Sequence, residues 1–241
     1  MADDSLPSAL GESVPLPDVL ERHFAKVRAW QKTPEGAAAR ARWEREKIAR
    51  ARAEREELAA LRGIPGDLEV RRWALEAHPS GPLFDALREA IEWRRAQCAS
   101  HGGDVAAVRV LLGSPGTGKT SALAWAASSW ERRALYRTAD AIARTKDETS
   151  FQEAAGVSLL VLDELGIESY PDRVTELLLA RWTNGGLTLC GSNLSFGEFE
   201  ARYLAGAGQR LADRLRQQKA RGLRTFVKAT WASFRGAEGE L

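Results

Sequence analysis

The chain has 241 residues, of which 44% are hydrophobic and 28% charged, and its formal net charge is only +2. That length supports one well-packed domain with a smaller appendage, and the near-neutral balance says nothing by itself about nucleic acid. Two cysteines, Cys98 and Cys190, exclude a disulfide framework and zinc-ligand spacing, and no apolar run approaches the ~18 residues a membrane span needs.

The N-terminus, Met-Ala-Asp-Asp, is acidic and lacks the apolar segment of a secretory signal, so a cytoplasmic protein without membrane contact is expected. Residues 1–20 carry four acids (Asp3, Asp4, Glu12, Asp18) and no base, with Pro7, Pro15 and Pro17 among them. They predict a flexible acidic tail. Residues 21–62 carry twelve Lys/Arg against seven Glu and predict a small helical N-terminal region. From Gly36 to Arg62 no Pro or Gly interrupts the pattern, and Arg40/Glu44, Glu46/Arg50 and Arg52/Glu56 sit four apart, as a helix favours. Its apolar residues (Trp43, Ile48, Leu58, Leu61) are too sparse for a coiled coil, so it is expected to lean on Phe24 and Trp30 or on a partner. Gly63-Ile-Pro-Gly66 ends it and opens a linker, residues 63–82.

Residues 83–241 predict one globular domain. Leu83, Phe84, Leu87, Ala90, Ile91 and Arg94 recur at three and four along a helix over 83–98, and Cys98-Ala-Ser-His101 is its end rather than half a metal site. Strand and helix signals then alternate: strands at 107–112, 134–137, 158–162, 187–190 and 223–228, and helices at 119–131, 140–144, 171–182 and 208–221. That order predicts an α/β fold with a five-stranded parallel sheet. Trp73, Trp93, Trp125 and Trp130 fall in helical patterns and read as core rather than as base-stacking platforms.

Gly113-Ser114-Pro115-Gly116-Thr117-Gly118-Lys119-Thr120 fits G-x-x-x-x-G-K-[ST] between the first strand and its helix. In that context the glycines turn backbone N–H groups inward, Lys119 reaches the β/γ-phosphates of a bound ATP, and Thr120 meets Mg²⁺. The apolar strand Leu159-Leu-Val-Leu ends in Asp163-Glu164. Ligands in such sheets lie beyond the carboxyl ends of the strands, so both acids emerge beside the loop. Asp163 suits a metal-side carboxylate and Glu164 a general base for water. Asn193, just after the fourth strand, could orient that water or simply make an Asx turn. Arg210 and Arg214 share a helix face.

Taken together, Gly113–Thr120, Leu159–Gly166, Gly191–Leu194 and Gly208–Leu215 resemble the DnaC/IstB branch of AAA+ ATPases, bacterial and phage helicase loaders and transposition helpers. Arg62-Gly-Ile-Pro65 is similar to the joint these proteins place before their ATPase core. The resemblance implies a P-loop AAA+ core over residues 83–241, Mg²⁺ and ATP as cofactors, a homo-oligomer, and Arg210 or Arg214 acting as a finger in a neighbouring site, with Arg181 a weaker candidate. It also implies a replicative helicase bound through the N-terminal region. Thirteen residues beyond Lys228 are too few for the helical lid of many AAA+ proteins. The chain departs from the loaders in having about twenty residues, Thr138–Val157, where they carry a longer insertion that grips single-stranded DNA, and in lacking cysteines before residue 62 for a zinc adaptor. Arg216, Lys219, Arg221, Arg224 and Lys228 remain candidates for phosphate contacts. A helicase loader, an IstB-like transposition helper, a small-molecule P-loop kinase and a non-hydrolysing ATP-gated adaptor all stay open. Asp163-Glu164 and Asn193 favour water over a kinase's acceptor.

Overall fold

In the computed structural model the description covers residues 18–67, 70 and 79–229. The chain divides into two compact units, Met1–Arg52 and Ala53–Leu241. In the first, α1 (Asp18–Gln31) turns sharply into α2 (Pro34–Leu61), which continues into the second unit. Thr33 makes the turn by accepting the Gly36 N–H at 3.1 Å, with Pro34 in the first turn where its missing N–H costs nothing. Phe24, Trp30, Trp43 and Ile48 are all exposed. Phe24 and Trp30 are about half-covered, and the alternative that α2 leans on a partner stays open. Alternating Arg and Glu leave that helix no continuous apolar stripe to bury. The acidic residues 1–17, Trp73 and residues 230–241, on which the expectation about a lid rests, lie outside the described residues.

The second unit begins on the end of α2. Gly63, at φ 75°, takes the left-handed conformation that closes the helix. Its N–H donates to the Ala60 carbonyl and that of Ile64 to the Ala59 carbonyl, with Ala59 and Ile64 both buried, the pattern of a Schellman cap. Arg62 then donates to the carbonyl oxygens of Ser128 (2.7 Å) and Trp130 (2.8 Å) at the end of the helix that follows the glycine loop. A cation there satisfies the orphan carbonyls and opposes the negative end of the helix dipole.

After α3 (Pro82–His101) come β1 (Ala107–Leu112), α4 (Lys119–Ser129), β2 (Ala134–Thr138), α5 (Ala139–Arg144), α6 (Glu148–Gly156), β3 (Leu159–Leu165), α7 (Pro171–Thr183), β4 (Leu187–Ser192), a short α8 (Phe196–Phe199), a π-helical turn over Glu200–Leu204, α9 (Gln209–Ala220) and β5 (Phe226–Lys228). The strands form one parallel sheet in the order β2-β3-β4-β1-β5. This is the expected α/β P-loop core with five parallel strands. Alternation along β3 sends Leu159 and Val161 to one face, with α3 and α4, and Leu160 and Leu162 to the other, with α5, α6, α7 and α9. A strand covered on both faces reads as a continuous apolar run for this reason. Arg109, the one polar residue of β1, is buried beneath α3 and paired with Glu89 at 2.8 Å.

Three local differences from expectation have visible causes. The helix α6 was not anticipated; Asp147 caps it by accepting the N–H groups of Thr149 and Ser150. β3 runs on to Leu165 through an irregularity between Leu162 and Leu165. β5 starts three residues late, because the buried Gln218 side chain pairs with both the N–H (2.7 Å) and the carbonyl (2.8 Å) of Val108 on β1. The amide satisfies the groups a longer β5 would have met. Among the described residues no helix is long and apolar enough to cross a membrane.

Candidate active site

All five strands point the same way, so the turn after β1 and the ends of β3 and β4 gather at one edge of the sheet. Gly113–Thr120 fills the turn between β1 and α4. Gly118, at φ 81°, is the residue before α4 and gives no side-chain cap, so the leading N–H groups of the helix face the loop without a capping oxygen. Such an end attracts anions. Lys119 is buried within the loop, where its ammonium donates to the carbonyl oxygens of Gly113 and Ser114, each at 2.8 Å, and to Thr117 Oγ1 at 3.2 Å. Burial holds its pKa below the usual lysine value, with Asp163 acting in the opposite sense. The tip, Ser114 and Pro115, is exposed.

Asp163 is 4% exposed, and its carboxylate is fully engaged. Oδ2 accepts from Thr120 Oγ1 at 2.7 Å and from the Tyr136 hydroxyl at 2.6 Å, and Oδ1 accepts from the N–H of Glu164 at 2.9 Å. Lys119, Thr120 and Asp163 thus converge from two strand ends that lie far apart in the chain. Glu164 is exposed beside them and holds φ 59°, a left-handed conformation uncommon for a residue with a β-carbon. This residue lies within the irregular pairing of β3 between Leu162 and Leu165.

Asn193 follows the last residue of β4 and is exposed at the same edge. Its neighbour Ser192 locks that strand end to β3 by donating to the Leu165 carbonyl at 2.7 Å and accepting the N–H of Leu194 at 3.2 Å. Gly191 on β4 lies directly against the acid: a β-carbon there would stand 2.4 Å from Asp163 Oδ1 and 2.8 Å from Leu123 Cδ1. Gly191→Ala is therefore expected to push the Asp163 carboxylate off Thr120. Were Asp163 to serve a bound magnesium, calorimetric titration of magnesium with nucleotide would show metal-dependent affinity reduced about 10–100-fold, the usual effect of disturbing a metal site's supporting contacts.

Arg210 and Arg214 are not brought to the loop. They are exposed on α9, whose Leu211, Ala212, Leu215 and Gln218 face inward and which packs on α7 and the π-helical turn. Arg214 donates to Gln217 at 3.2 Å. Neither residue makes a hydrogen bond or ion pair to the described residues of the glycine loop, and both are exposed to solvent. Arg181, the weaker finger candidate, is corrected by the structure. It is 1% exposed and donates to the carbonyl oxygens of Ala154 (2.6 Å), Val157 (2.9 Å) and Leu187 (2.6 Å) and to Thr188 Oγ1 (2.7 Å). It closes the end of α6 and cannot reach out of the protein. Desolvation pulls its pKa down to about 9. Of the basic residues proposed to track phosphates, Arg216 is paired with Asp213 at 2.6 Å, while Lys219, Arg221, Arg224 and Lys228 are exposed.

Two groups of residues at this edge had no sequence signal. One is Tyr136. The other is Glu168, fully buried in the segment after β3, which accepts from the Gly166 N–H (2.8 Å), from Arg202 Nε (3.2 Å) and from the Tyr203 hydroxyl, tying that segment to the π-helical turn.

No family model matches the chain, and no curated protein matches it. Several solved structures resemble it. The crystal structure of the DnaI is 20% identical over 68% of this chain and 92% of that one, with a TM-score of 0.47. AMPPCP-bound DnaA from Aquifex aeolicus is 20% identical over 67% of this chain and 51% of that one, at 0.44. Domain III of the replication initiation protein DnaA from Thermotoga maritima is 18% identical over 68% of each chain, at 0.42. These are likenesses of fold.

Proposed function

We propose that the protein binds ATP at Gly113–Thr120 and hydrolyses it with Mg²⁺. The observation that carries this reading is the hydrogen bond between Thr120 and Asp163 next to the Lys119 loop, at an uncapped helix N-terminus. Among the described residues no group of three or more His, Cys, Asp or Glu could hold a metal by itself. One carboxylate and one hydroxyl are nonetheless the donors Mg²⁺ takes when phosphates and water complete its shell. Thr120 and Asp163 would hold it, and its contribution is to neutralise charge on the phosphates.

The backbone N–H groups of the loop and Lys119 hold the β- and γ-phosphates. Asn193 orients a water in line with the γ-phosphorus. Glu164 accepts its proton as the oxygen attacks and the bond to the ADP oxygen breaks. An arginine in a neighbouring copy, Arg214 or Arg210, meets the charge that develops. Their exposed position on α9 supports a role toward another copy rather than their own loop.

On the resemblance of its four motifs to the DnaC/IstB branch, this ATPase serves DNA replication as a helicase loader in the cytoplasm. Residues 21–62 hold the replicative helicase, and the core acts as a homo-oligomer; single-stranded DNA is a candidate partner only, since the Thr138–Val157 segment is shorter than the loaders' DNA-gripping insertion. Trp30, Trp43 and Ile48 are each exposed on the helices of this region, where a partner could cover them. Affinity capture of the intact protein with ATP should bring down a hexameric helicase; a transposase in its place would move the reading to the transposition helper. Arg214→Ala is expected to keep ATP affinity and to lose turnover by ~10³-fold or more, the worth of an arginine finger. Phosphate release at full rate from both Arg210→Ala and Arg214→Ala would remove the finger.

A further inference from the structure

We propose that Tyr136 is a positioning residue for Asp163, holding that carboxylate in the orientation that presents it to the metal. The proposal rests on the reading of Asp163 as the metal-side acid. Tyr136 sits in the middle of β2 and is 2% exposed, with its hydroxyl 2.6 Å from Asp163 Oδ2. The same oxygen accepts from Thr120, so one carboxylate oxygen carries two hydroxyl donors while the other is held by a main-chain N–H. The Thr120 oxygen keeps its lone pairs free for a metal while its O–H donates to Asp163. The Tyr136 phenol meets the same carboxylate oxygen from the neighbouring strand. It is the fixed point about which the carboxylate stays oriented.

The phenol is itself fixed from outside the sheet. β2 is an edge strand, and its exposed side is covered where it matters: the main-chain N–H of Tyr136 donates to the Arg62 carbonyl at 2.7 Å. Gly63 must stay a glycine there, since a β-carbon would stand 2.8 Å from the Tyr136 carbonyl oxygen and 2.5 Å from Arg137. Arg62 is in turn anchored on the end of α4, the helix that begins with Lys119 and Thr120. Tyr136 and the glycine-loop helix are therefore braced against the same short segment, Arg62–Ile64.

The test is Tyr136→Phe in the full chain, with binding of a fluorescent ATP analogue measured in EDTA and across a magnesium titration. The expected result is a magnesium midpoint raised about tenfold or more and a matching fall in turnover, with metal-free affinity and thermal midpoint unchanged. A magnesium midpoint equal to wild type overturns the proposal. So does an equal loss of metal-free affinity and thermal stability, which marks a packing role only. If wild type itself shows no magnesium dependence, the assignment of Asp163 falls and the proposal with it. Should Tyr136→Phe not fold, 3-fluorotyrosine placed at position 136 gives the answer in the intact site. Its fluorine signal should move when magnesium is added to the ATP-bound protein and stay put with ATP in EDTA; a signal indifferent to magnesium overturns the proposal.

Discussion

Lys119→Ala is expected to weaken ATP binding by ~10²-fold or more, the loss of a charge-assisted contact to phosphate at ~1.5–3 kcal/mol or above. In the structure the ammonium is satisfied by its own loop, through Gly113, Ser114 and Thr117. Those carbonyls curl around the position from which phosphate oxygens would draw the lysine. The substitution removes a partly desolvated cation, so the fold should not suffer. Thermal unfolding is expected to be unchanged within a few degrees while titration calorimetry detects little or no ATP binding. Affinity within threefold of wild type would mean that the nucleotide, if any, sits elsewhere.

The second large effect is expected at Glu164. Glu164→Gln keeps the shape of the side chain and removes its ability to take a proton, so single-turnover phosphate release should slow by ~10²–10⁴-fold with ATP affinity unaltered. Unchanged release would sink the general-base role. The backbone offers an independent check. Glu164 holds φ 59°, a conformation costing ~1–3 kcal/mol for such a residue and maintained here by the irregular pairing of β3. Glu164→Gly is therefore expected to raise the thermal midpoint while abolishing turnover. A stability gain coupled to a loss of activity would identify the strain as retained for the chemistry.

Sequence alone made visible the features whose physics is local. The glycine loop announces itself because a phosphate cradle needs its glycines and lysine at fixed spacing along one turn. β3 shows as an apolar run ending in Asp163 and Glu164 because both of its faces are covered. The order of strands and helices, and with it the parallel sheet, is likewise a matter of alternating patterns along the chain. Nothing local, however, distinguishes Arg181 from Arg210. Only the packing of α7 over the end of α6 places the first among carbonyl oxygens and leaves the second in water. The same holds for Gln218, which completes a strand 110 positions away, and for Tyr136, whose hydroxyl finds Asp163 across 27 residues because β2 and β3 are neighbours in the sheet. These contacts depend on register between strands, and register is set by the assembled core rather than by any residue's own preference. The sequence determined that this protein carries a glycine-rich loop of the phosphate-binding pattern and two acids at the end of a strand in a parallel sheet. The tertiary structure decided which polar side chains serve that site, which ones seal helix ends, and which are left facing outward.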